Sequence, residues 1–279
     1  MAATLIKAVH DTDYPGGQPY PTTTHPEADT SPVMVQKIGF GDLRAALREG
    51  VQDWLACRTD VLVMVVIYPL AALFIAIALI DRHLLPLLFP VASGMALVGP
   101  VATIWFGALS RQRERDGVAT VDAAGAIFES SRGGVIKRLA GLLIGLFAVW
   151  IAVAGVIYHA TLGSVPGTGS FLHDTFATAP GHEMILIGVL VGAVFGVVAL
   201  ATALVSFQLA LDHEMGIMEA LSLSVQAALT NPGVTLIWGA LIAGLLLIGA
   251  IPGLIGLAVT IPILGHSAWH LYRRMIRNV

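Results

Sequence analysis

The chain has 279 residues, of which 56% are hydrophobic and only 12% charged, and its mean hydropathy is +0.82. This composition excludes an ordinary soluble domain and predicts an all-α integral membrane protein. The formal net charge of −3 gives no basis for a nucleic-acid partner, and the single cysteine, Cys57, excludes an intramolecular disulfide. We therefore expect the lipid bilayer as the main partner, with other membrane proteins as further partners.

Residues 1–33 are polar and rich in proline, including Pro15, Pro19, Pro21 and Pro26. Such a segment buries too little apolar surface to offset the entropy lost on ordering, so a disordered cytoplasmic tail is predicted. It has no apolar core of about 7–15 residues, which a secretory signal peptide requires. The rest of the chain, residues 34–279, is predicted to form one membrane domain.

Three segments have apolar residues at helical spacing on one face and polar residues on the others: residues 41–56, 122–135 and 217–229. We expect these amphipathic helices to lie along the membrane surface or against the bundle. Asp42 is the predicted N-cap of the first one.

Four uncharged runs are each long enough to span a bilayer: residues 61–80, 84–110, 139–158 and 184–211. The second run contains several prolines and glycines, which predicts a kinked helix packed inside the bundle. The fourth is long enough to be tilted. A single helix over residues 234–272 would measure about 58 Å, roughly twice the hydrocarbon thickness, so it must fold back at Pro252-Gly253. The sequence thus predicts six spans.

Basic residues set the predicted orientation, since loops retained in the cytoplasm are enriched in Lys and Arg. With six spans, all fifteen Lys and Arg residues except Arg82 fall on one side. The prediction is a multi-pass membrane protein with both termini in the cytoplasm.

An internal repeat is also predicted. Leu43, Leu47 and Val51 map onto Ile217, Leu221 and Val225 with a constant offset, and a weaker middle copy falls within residues 122–135. We interpret the domain as three units, each an amphipathic helix followed by a transmembrane hairpin: residues 39–110, 119–211 and 213–275.

Two motifs carry a resemblance to a known family. They are Ala227-Ala228-Leu229-Thr230-Asn231-Pro232-Gly233 and Leu264-Gly265-His266-Ser267-Ala268-Trp269-His270-Leu271-Tyr272-Arg273. The chain, from about Gly39 to Arg274, resembles the bacterial family catalogued as domain of unknown function 2189. The resemblance implies a six-span inner-membrane protein and brings no activity, cofactor or site. Within these motifs, we predict that Asn231 caps a helix, Pro232 opens the next one and Gly233 allows the turn between them.

His266 and His270 lie four residues apart, on one face of the predicted sixth span. Ionisable groups inside a membrane are candidates for function, so the pair could bind a metal or haem or relay a proton. The alternative is a structural role, in hydrogen bonds to neighbouring helices and beside the membrane anchors Trp269, Tyr272 and Arg273. The triplet Asp212-His213-Glu214 could supply further metal ligands or pair with arginines.

Glycines at four-residue spacing predict close helix packing: Gly141 with Gly145, and Gly188 with Gly192 and Gly196. The sequence contains no GxxxxGK[ST], GxSxG, HExxH or CxxC pattern, so we expect no enzyme activity and no cofactor. The favoured function is an accessory or scaffold component of a membrane complex, or a lipid-organising protein. The alternatives are a small transporter or channel, and a metal- or haem-binding protein that uses His266 and His270.

Overall fold

The computed structural model describes residues 33–57, 85–120, 125, 130–167, 170–251 and 256–278. The predicted first span, the Pro252-Gly253 break, nearly all of the tail and half of the middle amphipathic segment lie outside these residues. The described elements are, in order, β1 (Val33–Val35), α1 (Phe40–Ala56), α2 (Leu85–Asp116), α3 (Ser131–Ala160), a 3-10 turn (Leu162–Ser164), α4 (Phe171–Ala177), α5 (Ala179–Ala203), α6 (Ser206–Asp212), α7 (Ile217–Thr230), α8 (Pro232–Ala250), α9 (Leu257–Met275) and β2 (Ile276–Asn278).

Three helical stretches of the described part are long and apolar enough to cross a membrane: Arg132–Ala160, Ala179–Asp212 and Pro232–Ala250. They contain most of the predicted third, fourth and fifth spans, so the prediction of a helical membrane domain is confirmed at this level. The six-span count and the three-unit repeat stay predictions.

The fourth predicted span is not one continuous helix. The hydroxyl of Ser224, on α7, donates to the Ala201 carbonyl oxygen (2.9 Å) and accepts from the Val205 backbone N–H (3.2 Å). It thereby stands between two backbone groups that would bond to each other in an unbroken α-helix. The stretch is therefore divided into α5 and α6.

Inner and outer helices differ in their neighbours. Helices α2, α5 with α6, and α9 pack against one another in the interior, where Phe106, Phe207 and Trp269 are fully buried. Helix α3 lies against α2 and α5, and α8 lies against α5 and α9. The amphipathic helix α7 covers α5 and α6, while α1 covers α9.

A two-stranded ribbon joins the two ends of the described chain, and no strand was predicted. Strands β1 and β2 pair antiparallel, with Val33 opposite Asn278 and Val35 opposite Ile276. The Gln36 N–H then donates to the Met275 carbonyl oxygen (2.8 Å). The β-branched Val33, Val35 and Ile276 suit a strand, so Val33, assigned above to the disordered tail, is part of the fold.

Two local predictions need correction. Helix α1 begins after Gly39, and Asp42 is its third residue rather than its N-cap: the Asp42 carboxylate accepts from the Gly39 N–H (2.9 Å). Helix α3 begins at Ser131, so the end of the predicted middle amphipathic segment belongs to it.

Candidate polar site at one end of the bundle

The last turns of α2, α6 and α9 meet at one end of the bundle, which we call the polar end. Helix α1 is held there by a close contact with α9. A Cβ atom placed on Gly50 would lie 2.6 Å from the backbone nitrogen of Ser267, so only glycine lets the two helices approach this far. Gly50 therefore sets the position of α1, and with it the acidic side chains that α1 carries.

Seven side chains from α1, α2 and α9 form a polar cluster that we call the α1 clasp: Glu49, Asp53, Ser110, Arg113, His266, His270 and Arg274. Its centre is the carboxylate of Asp53, which is only 5% exposed. That carboxylate accepts hydrogen bonds from the Ser110 hydroxyl (2.5 Å) and from Nε2 of His270 (2.8 Å), and it pairs with Arg113.

Burial of Asp53 raises the pKa of its carboxyl, but hydrogen bonds from His270 and Ser110, with the charges of the nearby histidines, outweigh burial and hold the pKa below its usual value. Asp53 is therefore ionised at neutral pH.

The buried His266 joins the clasp through Ser110. Its Nδ1 atom lies 2.7 Å from the Ser110 oxygen. Since the single hydroxyl proton of Ser110 is donated to Asp53, the Nδ1 atom of His266 must carry a proton and donate it to Ser110. Ser110, His266 and Asp53 are the residue types of a hydrolase triad, but this bond runs opposite to the one that activates a serine nucleophile.

His270 lies between two carboxylates of α1. Its Nε2 atom is 2.8 Å from Asp53 Oδ2, and its Nδ1 atom is 3.3 Å from Glu49 Oε2. Glu49 also binds Arg274 through both of its oxygens, at 2.8 and 2.9 Å. The hydrogen bond from Arg274 is the main cause that lowers the pKa of Glu49.

A second cluster, which we call the Asp212 cluster, ties the three inner helices together. Asp212 accepts from Nε of Arg111 (2.7 Å) and from the Tyr272 hydroxyl (2.9 Å), and Arg273 lies 3.6 Å away. Glu114 accepts from Trp269 Nε1 (2.9 Å) and pairs with Arg273. The charged ends of α2, α6 and α9 thus pair with one another.

The predicted polar candidates therefore fall into two groups. His266 and His270 contact Asp53, whereas Asp212 contacts arginines and a tyrosine. His213 is buried beside Asp212, with Nε2 3.8 Å from Oδ2, and Glu214 is exposed. No three His, Cys, Asp or Glu side chains among the described residues are grouped so as to hold a metal ion.

An open pocket of about 320 Å³ reaches the α1 clasp from the surface. It is lined by Asp53, Ser110, Arg113, Glu114, Gly117 and His270. Water can therefore reach the His270 and Asp53 side of the clasp, while His266 stays fully buried.

Asn231 lies between α7 and α8 and caps the end of α7 as predicted, since its backbone N–H donates to the Ala227 carbonyl oxygen (3.1 Å). Its side chain makes no capping bond to α8; its Oδ1 accepts from the Ile38 N–H (2.8 Å), and its Nδ2 donates to the carbonyl oxygens of Gln36 (3.0 Å) and Ala227 (3.1 Å). Asn231 thus fastens the segment after β1 to the end of α7, because the backbone of residues 36–38 offers both donors and acceptors. Pro232 opens α8 as predicted, and Gly233 lies inside that helix.

The predicted glycine ridges face different surroundings. A Cβ atom on Gly192 would lie 3.1 Å from the Trp150 ring, so this glycine allows α5 to approach α3. By contrast, a Cβ atom would have no neighbour within 4 Å at four glycines: Gly141, Gly145, Gly188 and Gly196. Gly265 packs against Phe106, at 2.7 Å from Cγ to such a Cβ, which brings α9 close to α2.

Sequence reasoning missed the acidic half of the α1 clasp. A signal was present: Leu43, Ala46, Gly50 and Asp53 recur at helical spacing, and all four are buried. An acid on the buried face of an amphipathic helix needs a partner. The basic and hydroxyl partners come from distant parts of the chain, and no local pattern pairs them.

The apolar helices and the polar end together define a helical integral membrane protein. Residues 88–212 match the model of a family described as Predicted integral membrane protein (DUF2189). The resemblance is confirmed for this stretch, a little under half of the chain, which contains neither of the two motifs from which it was drawn. No curated protein and no solved structure matches the chain.

Proposed function

We propose that this protein is a non-enzymatic, six-span component of the bacterial inner membrane that packs against other membrane proteins as an accessory or scaffold subunit. The observation that carries the proposal is the outward face of α3. Gly141 and Gly145 are exposed there, beside the exposed apolar side chains of Leu142, Ile144 and Val149. A glycine face of this kind lets another transmembrane helix approach closely.

The polar end supports the same proposal. The acidic side chains of the α1 clasp and of the Asp212 cluster are bound to side chains of neighbouring helices, so they hold the described helices together. A catalytic site would instead need a nucleophile or base directed at a substrate. The Ser110 hydroxyl is 1% exposed and is donated to Asp53.

The three-unit architecture is part of the proposal, and the burial of α1 and α7 supports it. Under the offset found in the sequence, buried Ala46 and Gly50 correspond to buried Ala220 and Ser224. The exposed residues correspond in the same way: Gln52 with Gln226, and Leu55 with Leu229. Each helix also covers an inner helix of another unit, since α1 lies on α9 and α7 lies on α5 and α6.

Copurification from native membranes in a mild detergent tests the function. We expect defined membrane proteins to accompany the wild type and to be lost from the double variant Gly141→Leu, Gly145→Leu, with the thermal stability of the protein unchanged. The control is Ala193→Leu, a smaller apolar addition at an exposed position of α5, which should keep the partners.

Two outcomes would contradict the proposal. One is a protein that is solitary in every preparation, or whose copurifying components are lipids alone, which would favour a lipid-organising role. The other is ion or solute flux through liposomes that contain the purified protein, which would establish the transporter alternative.

A further inference from the structure

The imidazole of His270 has a carboxylate oxygen at each of its two nitrogens. Asp53 Oδ2 lies 2.8 Å from Nε2, and Glu49 Oε2 lies 3.3 Å from Nδ1. Both carboxylates belong to α1, and His270 belongs to α9. The ring therefore joins the two helices from both of its edges.

This arrangement depends on the charge of the ring. A neutral imidazole carries one N–H group, so it can donate to only one of the two carboxylates and turns a lone pair toward the other. An imidazolium carries two N–H groups and can donate to both. Its positive charge also makes each hydrogen bond stronger than a neutral one.

Charged groups surround His270 on every element that packs on it. Helix α1 contributes Glu49 and Asp53, and α2 contributes Arg113, paired with Asp53, and Glu114 at the pocket. Helix α9 contributes Arg274, paired with Glu49, and His266, 4.0 Å from Asp53. Although the two arginines pair with the same carboxylates, His270 keeps its contacts with both of them. The pocket gives the ring access to water.

We propose that His270 is a proton-binding site, and that uptake of a proton there tightens the attachment of α1 to α9. Loss of the proton leaves the Gly50 contact, the two arginine pairs and the hydrogen bond to Asp53, but removes the ion pair between the ring and Glu49. Helix α1 then opens more often from the bundle. This inference does not depend on the proposed scaffold function.

Hydrogen exchange of the full-length protein in lipid nanodiscs tests the inference. We expect exchange of the α1 amides, corrected for the intrinsic rate, to be about tenfold slower near pH 5.5 than near pH 8.5, a range that brackets the titration of an ordinary histidine. Helix α7, which carries no histidine, serves as an internal reference and should change little.

Two variants and one control identify the group. His270→Gln should remove the pH dependence of α1 exchange, and Glu49→Gln should reduce it, since a neutral ring then satisfies the one remaining carboxylate. The control is His182→Gln, which changes an exposed ring bound to the Phe176 carbonyl oxygen. It should leave the pH dependence of α1 exchange unaltered. Exchange of α1 that does not depend on pH in the wild type would overturn the proposal. So would a dependence that survives in His270→Gln.

Discussion

Asp53 connects three elements of the polar end, because its carboxylate, on α1, binds α2 through Ser110 and Arg113 and α9 through His270. An ionised carboxylate in a buried position is stable only while these partners remain. The attachment of α1 should therefore fail in acid.

The pH at which it fails follows from the direction of the pKa shifts. Asp53 and Glu49 both have a pKa below the usual value in the folded protein. Their contribution to stability is thus fully present above the pKa of the unfolded chain, about 4, and is lost as the pH falls through the lower, folded values. Exchange of α1 amides should accelerate as the pH falls below about 4, and less so in the double variant Asp53→Asn, Glu49→Gln. Equal acid sensitivity in that variant would contradict this account.

Asp212 offers a second test at the residue scale. Replacing it by alanine leaves the half-buried Arg111 and the Tyr272 hydroxyl without their carboxylate. Removing one partner of a buried ion pair typically costs about 3–5 kcal/mol, so the free energy of unfolding should fall by that order. Asp116→Ala, in an exposed pair with Arg115, should change it by less than about 1 kcal/mol. Similar losses in the two variants would contradict the assigned role of Asp212.

The sequence singled out some of these residues and not others. His266 and His270 were predicted to share a face because helical spacing alone puts them there. Asp53 and Ser110 were not, because their partners lie far away in the chain and only the packing of α1, α2 and α9 brings them together. Asp212 was predicted to pair with arginines, and Arg273 is one of its partners. Its contacts with Arg111 and Tyr272 were not predicted, for the same reason.

At the scale of elements, the contact between α1 and α9 depends on Gly50. Alanine at this position would overlap the Ser267 backbone, and overpacking of this kind costs about 1–3 kcal/mol. We expect Gly50→Ala to lower the thermal midpoint and to speed exchange throughout α1. Gly41→Ala, at an exposed position of the same helix with no neighbour near the added methyl group, should be neutral or stabilising. A stable Gly50→Ala protein with α1 still protected would show that the helices are not in close contact.

Asn231 holds the start of the described chain through two hydrogen bonds, with Ile38 and Gln36. Its replacement by alanine leaves the Ile38 N–H without its acceptor and costs about 1–3 kcal/mol. Because β1 lies directly upstream of this segment, we expect faster exchange and easier proteolysis of residues 33–38, with α3 and α5 unaffected. Unchanged protection of that segment would contradict the assigned role of Asn231.

Helix positions were easier to predict than helix ends and breaks. Residues 217–229 and the apolar runs of α3, α5 and α8 were found because periodicity and hydropathy extend over many residues. The break between α5 and α6 depends on one hydroxyl from α7, and the β1–β2 ribbon pairs residues from opposite ends of the chain. Neither the break nor the ribbon can be predicted from the local composition.

At the scale of the whole molecule, the two ends of the bundle should face opposite sides of the membrane. The polar end gathers α1, the ends of α2, α6 and α9 and the start of α8, whereas the 3-10 turn and α4 connect the far ends of α3 and α5. The pH of one compartment would then affect α1 in two opposing ways. The attachment of α1 to α9 tightens between about pH 8.5 and 5.5 and is released below about pH 4.

Labelling of single cysteines from one side of the membrane tests this arrangement most directly. In a Cys57→Ser background, cysteines placed at Gly117, Gly216 and Asn278 should react with an impermeant maleimide only from the cytoplasmic side. A cysteine at Gly167 should react only from the outside. Reaction of Gly117 and Gly167 from the same side would contradict the claim that α3 crosses the membrane, and with it the six-span bundle proposed here.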